Sequence, residues 1–312
     1  MAYAVEIVGL TKTYPNGFTA VSGLTLNIPK GVFVLLGPNG AGKTTTVEIL
    51  VGAIKPTSGT VRILGHDILN DAIEARRRIG YLPQNPAAYD EMSAARFLIY
   101  MGELSGLSSS EASTKAEELL RWVGLEDWKS SPIGHYSAGM RQRLGVAQSL
   151  INDPEVVFLD EPAAHLDALA KQDMMERLKQ LGREGRCVFL SSQILSEVES
   201  MADQVAVISN GKLVLQGSVE ELTRRVEAAE YRIEVSEPNV LAKELEALRF
   251  ATDIRVENSA VLVRSKEHEK LWRAVPGIVS LHGMELRLFM PVGTKLEETY
   301  REALEKARGT VG

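Results

Sequence analysis

Residues 1–30 alternate apolar and polar side chains in the manner of strands, in "YAVEIVGL" and "GLTLNI", with a turn at Pro15-Asn16-Gly17 between them. The run "GVFVLL" is continuously apolar and ends in a glycine-rich turn. "TTTVEILVGAI" then takes up helical spacing, so this stretch reads as strand, loop, helix. From about Asn85 to Trp128 the spacing is mainly helical, and Ser108 to Ser110 open the helix "EASTKAEELLRWVGL". "EVVFLDEP" and "CVFLSS" are further buried strands, each followed by a helix-like segment. Buried strands alternating with helices predict an α/β domain on a mostly parallel sheet.

Near Glu227 the texture changes. "YRIEVS", "DIRVE", "AVLVRS" and "VSLHGMELRLFMP" read as strands, and "NVLAKELEALRF", "EHEKLWRAV" and "KLEETYREALEKAR" as helices. The order β-α-β-β-α-β-α predicts a small α+β, ferredoxin-like domain over 227–312. The α/β domain then covers 1–226, with a helical subdomain at about 85–150.

Composition narrows the function classes. With 312 residues, 45% of them hydrophobic, the chain can bury one large core and a smaller one. A net charge of −6 argues against a broad basic surface, so no nucleic-acid partner is expected. The single cysteine, Cys187, excludes an intramolecular disulfide; it reads as a small apolar strand residue in a reducing compartment. "MAYAVEIVGL" lacks the basic and long apolar regions of a secretory signal. Runs such as Val32 to Leu36 fall well short of the ~20 residues that span a bilayer. A membrane role therefore requires a separate partner chain.

The chemistry begins at Gly37-Pro38-Asn39-Gly40-Ala41-Gly42-Lys43-Thr44, which matches G-x-x-x-x-G-K-[ST] in the strand-to-helix context that pattern needs. Its glycines let backbone N–H groups curl round phosphate oxygens, Lys43 reaches the β/γ-phosphates, and the Thr44 hydroxyl can ligate Mg²⁺, with Thr45 next along the helix. The strand "EVVFLDEP" ends in Asp160, whose carboxylate can join the Mg²⁺ shell. Adjacent Glu161 can accept a proton from, or orient, an attacking water.

With these two motifs and three more in order, the chain resembles the ATP-binding subunit of a bacterial or archaeal ABC transporter over about residues 3–222. Gln84 in "YLPQNP" matches the family's Q-loop glutamine, which implies a Mg²⁺ contact and coupling to a partner. Tyr136-Ser137-Ala138-Gly139-Met140 matches the signature region, usually written LSGGQ, and Asp167 in "HLD" matches the D-loop aspartate. Tyr14 lies where the family places an aromatic ring against adenine. Tyr136 and Met140 read as packing residues, and Arg141-Gln142-Arg143 as a solvated helix face. The resemblance implies ATP and Mg²⁺ as cofactors and a head-to-tail homodimer or heterodimer. Ser137 and Gly139 of one chain would then contact the γ-phosphate held by Lys43 of the other. It also implies an ATPase lying in the cytoplasm against the inner face of the membrane and driving a separate integral-membrane permease, docked through about Pro86 to Leu107. The tail, ending "PVGTKLEETYREALEKA", is similar to the C-terminal extension of certain bacterial exporters; dimer contact, regulation and a stabilising appendage are its alternatives. An ABC ATPase that switches a soluble partner is the alternative function. A P-loop kinase or GTPase leaves the signature region unexplained.

This chain departs from the family pattern in one cluster. "FLSSQILSEVES" carries Gln193 where a histidine contacting the γ-phosphate is expected. Glutamine can donate an N–H to phosphate but does not become cationic near neutral pH. One lost transition-state contact costs a factor of ~10²–10³ in rate, so slow hydrolysis or an altered geometry is expected, with Gln193, Glu161, Lys43 and Asp167 as the catalytic set. Ala138, Ala163, His165 and Ala168 are further departures. His165 lies in another loop and reads as a surface residue rather than a replacement histidine.

Overall fold

Strands β1 (Val5–Thr13) and β2 (Thr19–Ile28) form the first antiparallel hairpin. Its turn is held by the Tyr14 N–H on Phe18 O (2.8 Å) and the Gly17 N–H on Tyr14 O (2.9 Å), with Gly17 at φ 84°. β3 (Gly31–Leu36), buried from Val32 onward, leads through the glycine-rich loop into α1 (Lys43–Leu50). β4 (Ser58–Ile63) and β5 (His66–Asp67) then return to complete a sheet of order β2-β1-β4-β5. β4 is marked by alternation, Val61 and Ile63 being buried while Thr60 and Arg62 are exposed. After α2 (Ala72–Arg77) and β6 (Ile79–Leu82) come three helices, α3 (Ala94–Leu104), α4 (Ser109–Trp122) and α5 (Ala138–Ser149). α4 opens on a capping box in which Ser108 Oγ accepts from Glu111 N–H and the Glu111 carboxylate accepts from Ser108 N–H (2.9 Å).

β7 (Val156–Asp160), α6 (Ala168–Arg183), β8 (Cys187–Ser192), α7 (Leu195–Met201), β9 (Gln204–Ser209) and β10 (Lys212–Ser218) finish the central layer. Its sheet runs β10-β9-β3-β8-β7-β6, all parallel except β10. Phe33, Phe158 and Phe189, all fully buried, meet across β3, β7 and β8, with Phe189 5.4 Å from Phe33 and 5.5 Å from Phe158 between ring centroids. The register sets the carboxyl ends of these strands side by side, Leu36 beside Ser192 and Asp160 beside Ser191. That edge, where strands end and loops begin, is where an open α/β sheet places a ligand. α5 lies hard against β6: a Cβ on Gly80 would overlap Ser149 O, and one on Gly145 would sit 2.6 Å from Leu82 and 2.9 Å from Pro86.

This computed structural model describes residues 3–224, 229–292, 296–297, 299–301 and 303–304. It divides into two compact units, Met1–Val219 and Glu220–Gly312. Glu227, where the sequence changes texture, lies outside the described residues, as do parts of the final helix expected from "KLEETYREALEKAR".

α8 (Val219–Arg224) follows β10. The second unit then runs β11 (Ala229–Val235), α9 (Pro238–Glu246), β12 (Ala251–Glu257), β13 (Ala260–Ser265), α10 (His268–Leu281) and β14 (Leu286–Pro291). Its antiparallel sheet has the order β12-β13-β11-β14, the split β-α-β arrangement of a ferredoxin-like domain. One expectation here is corrected. "VSLHG" is not strand: α10 continues through Pro276 to Leu281. Leu271, Val275 and Val279 share its buried face, and their common burial outweighs the hydrogen bond that Pro276 withholds.

Candidate functional site

The loop between β3 and α1 is shaped by positions where a side chain would not fit. Gly42 has φ 102° and a Cβ there would overlap Ala20 O; a Cβ on Gly37 would stand 2.5 Å from Ile208 O. Pro38, Asn39 and Gly40 form the exposed rim of the loop, and Ala41 is buried beneath it. Lys43 is buried and donates from Nζ to Gly37 O (2.7 Å) and Pro38 O (3.2 Å). Burial pushes its ammonium pKa down, against the opposing pull of Glu161 and Asp160. Thr44 and Thr45 are half-buried on the first turn of α1. The half-buried Tyr14 ring reaches this turn, its hydroxyl 3.4 Å from Thr45 Oγ1, with Lys12 Nζ 5.3 Å from the ring centroid.

Asp160 is buried at the end of β7. One carboxylate oxygen, Oδ1, accepts from the Ser191 hydroxyl; the other, Oδ2, is buried and has no hydrogen-bond donor among the described residues. A buried carboxylate oxygen without a donor suits a divalent cation or a water bound to one. Among the described residues no three His, Cys, Asp or Glu side chains gather into a metal cage. One carboxylate, the Thr44 hydroxyl and phosphate oxygens are the donor set that Mg²⁺ prefers over an all-protein cage.

Glu161 follows in the left-handed region at φ 51°, a conformation that costs of order 1–3 kcal/mol for a non-glycine residue. It is gripped on three sides. Its N–H donates to Ser191 Oγ (3.0 Å), its C=O accepts from Gln142 Nε2 (3.1 Å), and its carboxylate accepts from Gln84 Nε2 (3.4 Å). Gln84, exposed just beyond β6, is thereby brought to Glu161. Gln193, exposed at the end of β8, lines a cavity of about 110 Å³ together with Glu161, Ala163, Lys171 and Glu197. Glu197 in turn holds this corner by accepting from Ser192 Oγ and pairing with Lys171.

Ser137, Gly139 and Asp167 form a separate group. Ser137 caps α5, accepting from Met140 N–H (3.2 Å), and Asp167 caps α6, accepting from Ala170 N–H (2.9 Å). Both line a cleft of about 370 Å³ with Gly139, Trp128, Arg143 and His165. Among its described lining residues none belongs to the loop 37–44. His165 therefore faces this second cleft and not the cavity of Gln193 and Glu161; it is exposed, at φ 63°. Tyr136 is buried, its hydroxyl donating to Trp128 O (2.8 Å), and burial raises its pKa.

The triplet after the signature corrects the sequence reading. Arg141 is tied to Asp90 (2.7 Å), and Gln142 is 1% exposed, so this is no solvated face. Gln142 and Ser191 escaped the sequence as site residues. Ser191 gave a signal, a polar residue near the end of an otherwise apolar strand; Gln142, between Arg141 and Arg143, gave none.

A phosphate-cradling loop, a buried carboxylate with an oxygen to spare and a second carboxylate beside it define a P-loop nucleotide hydrolase. A profile of the family described as "ABC transporter" matches residues 21–164. The chain is 33% identical over 302 residues to the daunorubicin/doxorubicin resistance ATP-binding protein DrrA of Streptomyces peucetius, covering 95% of this chain and 91% of that one. It is 34% identical over 265 residues to the bacitracin transport ATP-binding protein BcrA of Enterococcus faecalis, covering 84% of each. Among solved structures it resembles the ATP-binding cassette MJ0796, described as a dimeric post-hydrolysis state bound to ADP and Pi. There the TM-score is 0.64 and the identity 25%, over 69% of this chain and 98% of that chain. The chain belongs to the ABC transporter ATP-binding proteins, and its nucleotide chemistry is ATP hydrolysis.

Proposed function

We propose that the chain powers a separate integral-membrane permease that exports a small molecule, lying in the cytoplasm against the inner face of the membrane. The observation that carries the nucleotide half of this reading is the spare Asp160 Oδ2 beside the Lys43 loop. Thr44 and Asp160, with Gln84 at the edge, would hold Mg²⁺, which when bound neutralises charge on the β- and γ-phosphates. Glu161 orients the attacking water and takes its proton, Lys43 holds the phosphates, and Tyr14 lies against adenine. Ser137 and Gly139 complete the site of a second ATP-binding chain, identical or not, in a head-to-tail pair with Asp167 at the contact.

Two further observations support the transport half. The daunorubicin/doxorubicin resistance relative aligns over nearly the whole length of both chains. The segment expected to dock also presents Tyr89 (55% exposed) in edge contact with Tyr100 and Phe97, and Leu104 (63% exposed). Among the described residues no helix is long and apolar enough to cross a membrane. The test is affinity purification of the tagged chain from membranes of its native host. Recovery of a multi-span protein supports the reading; recovery of soluble partners alone refutes it.

Turnover is slow because Gln193 stands where a histidine would face the γ-phosphate. Gln193→His is expected to raise Mg²⁺-dependent ATP turnover by about tenfold or more, part of the ~10²–10³ that one transition-state contact carries. Equal rates for the two proteins would remove Gln193 from the catalytic set.

A further inference from the structure

We propose that Gln142 is a positioning residue for Glu161, tying the helix that carries the signature serine to the peptide group behind the general base. This rests on the reading of Glu161 given above. Gln142 lies five residues along α5 from its cap Ser137 and is 1% exposed, so its side chain has one packed arrangement. Its amide donates to the Glu161 carbonyl at 3.1 Å. That carbonyl already accepts from Ala164 N–H at 3.0 Å. The Gln142 bond is therefore not required to satisfy it; what the bond adds is direction.

Direction matters at this residue. Glu161 sits at φ 51°, outside the wells that a glutamate favours, so its peptide planes have to be held by their surroundings. Ser191 fixes the plane before Glu161, and the same hydroxyl donates to Asp160 Oδ1, locking that plane to the strand ends. Gln142 fixes the plane after Glu161, from a different element. The carboxylate is thus suspended between a static anchor in the sheet and an anchor on α5. A shift of α5 when Ser137 meets its partner turns the second plane while the first stays put, and the side chain between them turns with it. Two further contacts make α5 a stiff carrier: Gly80 against Ser149 O and Gly145 against Leu82 and Pro86. A displacement of the order of 1 Å at a reacting group costs about 10²-fold in rate.

The test compares steady-state Mg²⁺-ATP turnover, the Kd of a fluorescent ATP analogue and the melting temperature of the full chain, as wild type, Gln142→Met and Glu161→Gln. Methionine keeps the volume of glutamine and removes the donor. The expected result for Gln142→Met is a kcat at least tenfold lower, with KM for ATP and the Kd of the analogue within twofold of wild type. A purely packing role would lower the melting temperature and weaken analogue binding along with kcat, and that pattern overturns the proposal. Unchanged kcat in Gln142→Met, beside a Glu161→Gln protein that no longer turns over, also overturns it while leaving Glu161 as the base. Full turnover in Glu161→Gln overturns both readings. Should Gln142→Met fail to fold, Gln142→Leu, which is of similar size and also lacks the donor, is read by the same three measurements.

Discussion

Replacing Ser191 by alanine removes a hydroxyl that serves two masters. The side chain is 0% exposed; it donates to Asp160 Oδ1 and accepts from the Glu161 N–H at 3.0 Å. Losing a hydrogen bond to an ionised carboxylate costs about 1.5–3 kcal/mol, and leaving a buried N–H without an acceptor about 1–3 kcal/mol. Asp160 would then hold a buried charge with neither oxygen accepting a hydrogen bond, since Oδ2 already lacks a donor. The two costs share one network and do not add in full, so the expected loss is about 2–5 kcal/mol. Against a total of about 5–15 kcal/mol for a folded domain, that is a large fraction. The assay is urea unfolding in EDTA without nucleotide, so that no ligand binding contributes. Trp122 and Trp128 lie in the first unit and Trp272 in the second, so fluorescence changes are read beside far-UV circular dichroism to separate the two transitions. A loss below about 1 kcal/mol in the first unit would refute the reasoning, because it would mean that neither bond is worth its usual value there.

Two other perturbations probe the two ends of the same sheet, Gly42 in the loop at the carboxyl end of β3 and Cys187 at the amino end of β8. Gly42→Ala, forced to φ 102° against Ala20 O, is expected to lose at least about 2 kcal/mol and to bind the ATP analogue more than tenfold more weakly, by urea melts and fluorescence titration. Cys187 is buried, and desolvation lifts its thiol pKa from 9.0 to about 12. The unfolded chain therefore releases this proton first as pH rises, so the native advantage is complete below pH 9 and is lost between pH 9 and about 12. The stability difference between wild type and Cys187→Ala should fall by about 1.4 kcal/mol per pH unit above pH 9, measured by urea unfolding from pH 8 to 10.5; a flat difference refutes it.

What could be read in advance was local. The eight residues from Gly37 to Thr44 carry their own geometry, and the run ending in Asp160-Glu161 announces a buried strand with charge at its tip. The grip on Glu161 was not legible because each partner arrives from far along the chain. Ser191 is set opposite Asp160 by the pairing of β7 with β8, and Gln142 is turned inward by packing of α5. Neither fact has a signature in spacing. The polar triplet after the signature looked solvated because charge is usually exposed, yet the glutamine between two arginines is core. In the second unit, "VSLHG" fits a strand by composition, and the helix won there because Val275 and Val279 complete a buried stripe begun by Leu271. His165 lies in the loop after β7 and Gln193 after β8, and the cleft that His165 lines could be found only from the fold.

The bare glycine contact between α5 and β6 at Gly80 has a mechanical meaning. Where side chains separate a helix from a strand, the layer between them can shear, and a push on one is partly absorbed before it reaches the other. Here backbone lies on backbone at Gly80, and a single methyl group would not fit. α5, which opens at Ser137, is thereby seated without slack on β6, the strand that leads to Gln84. A seat of that kind leaves no room for substitution at Gly80, where even a methyl group would run into the Ser149 carbonyl.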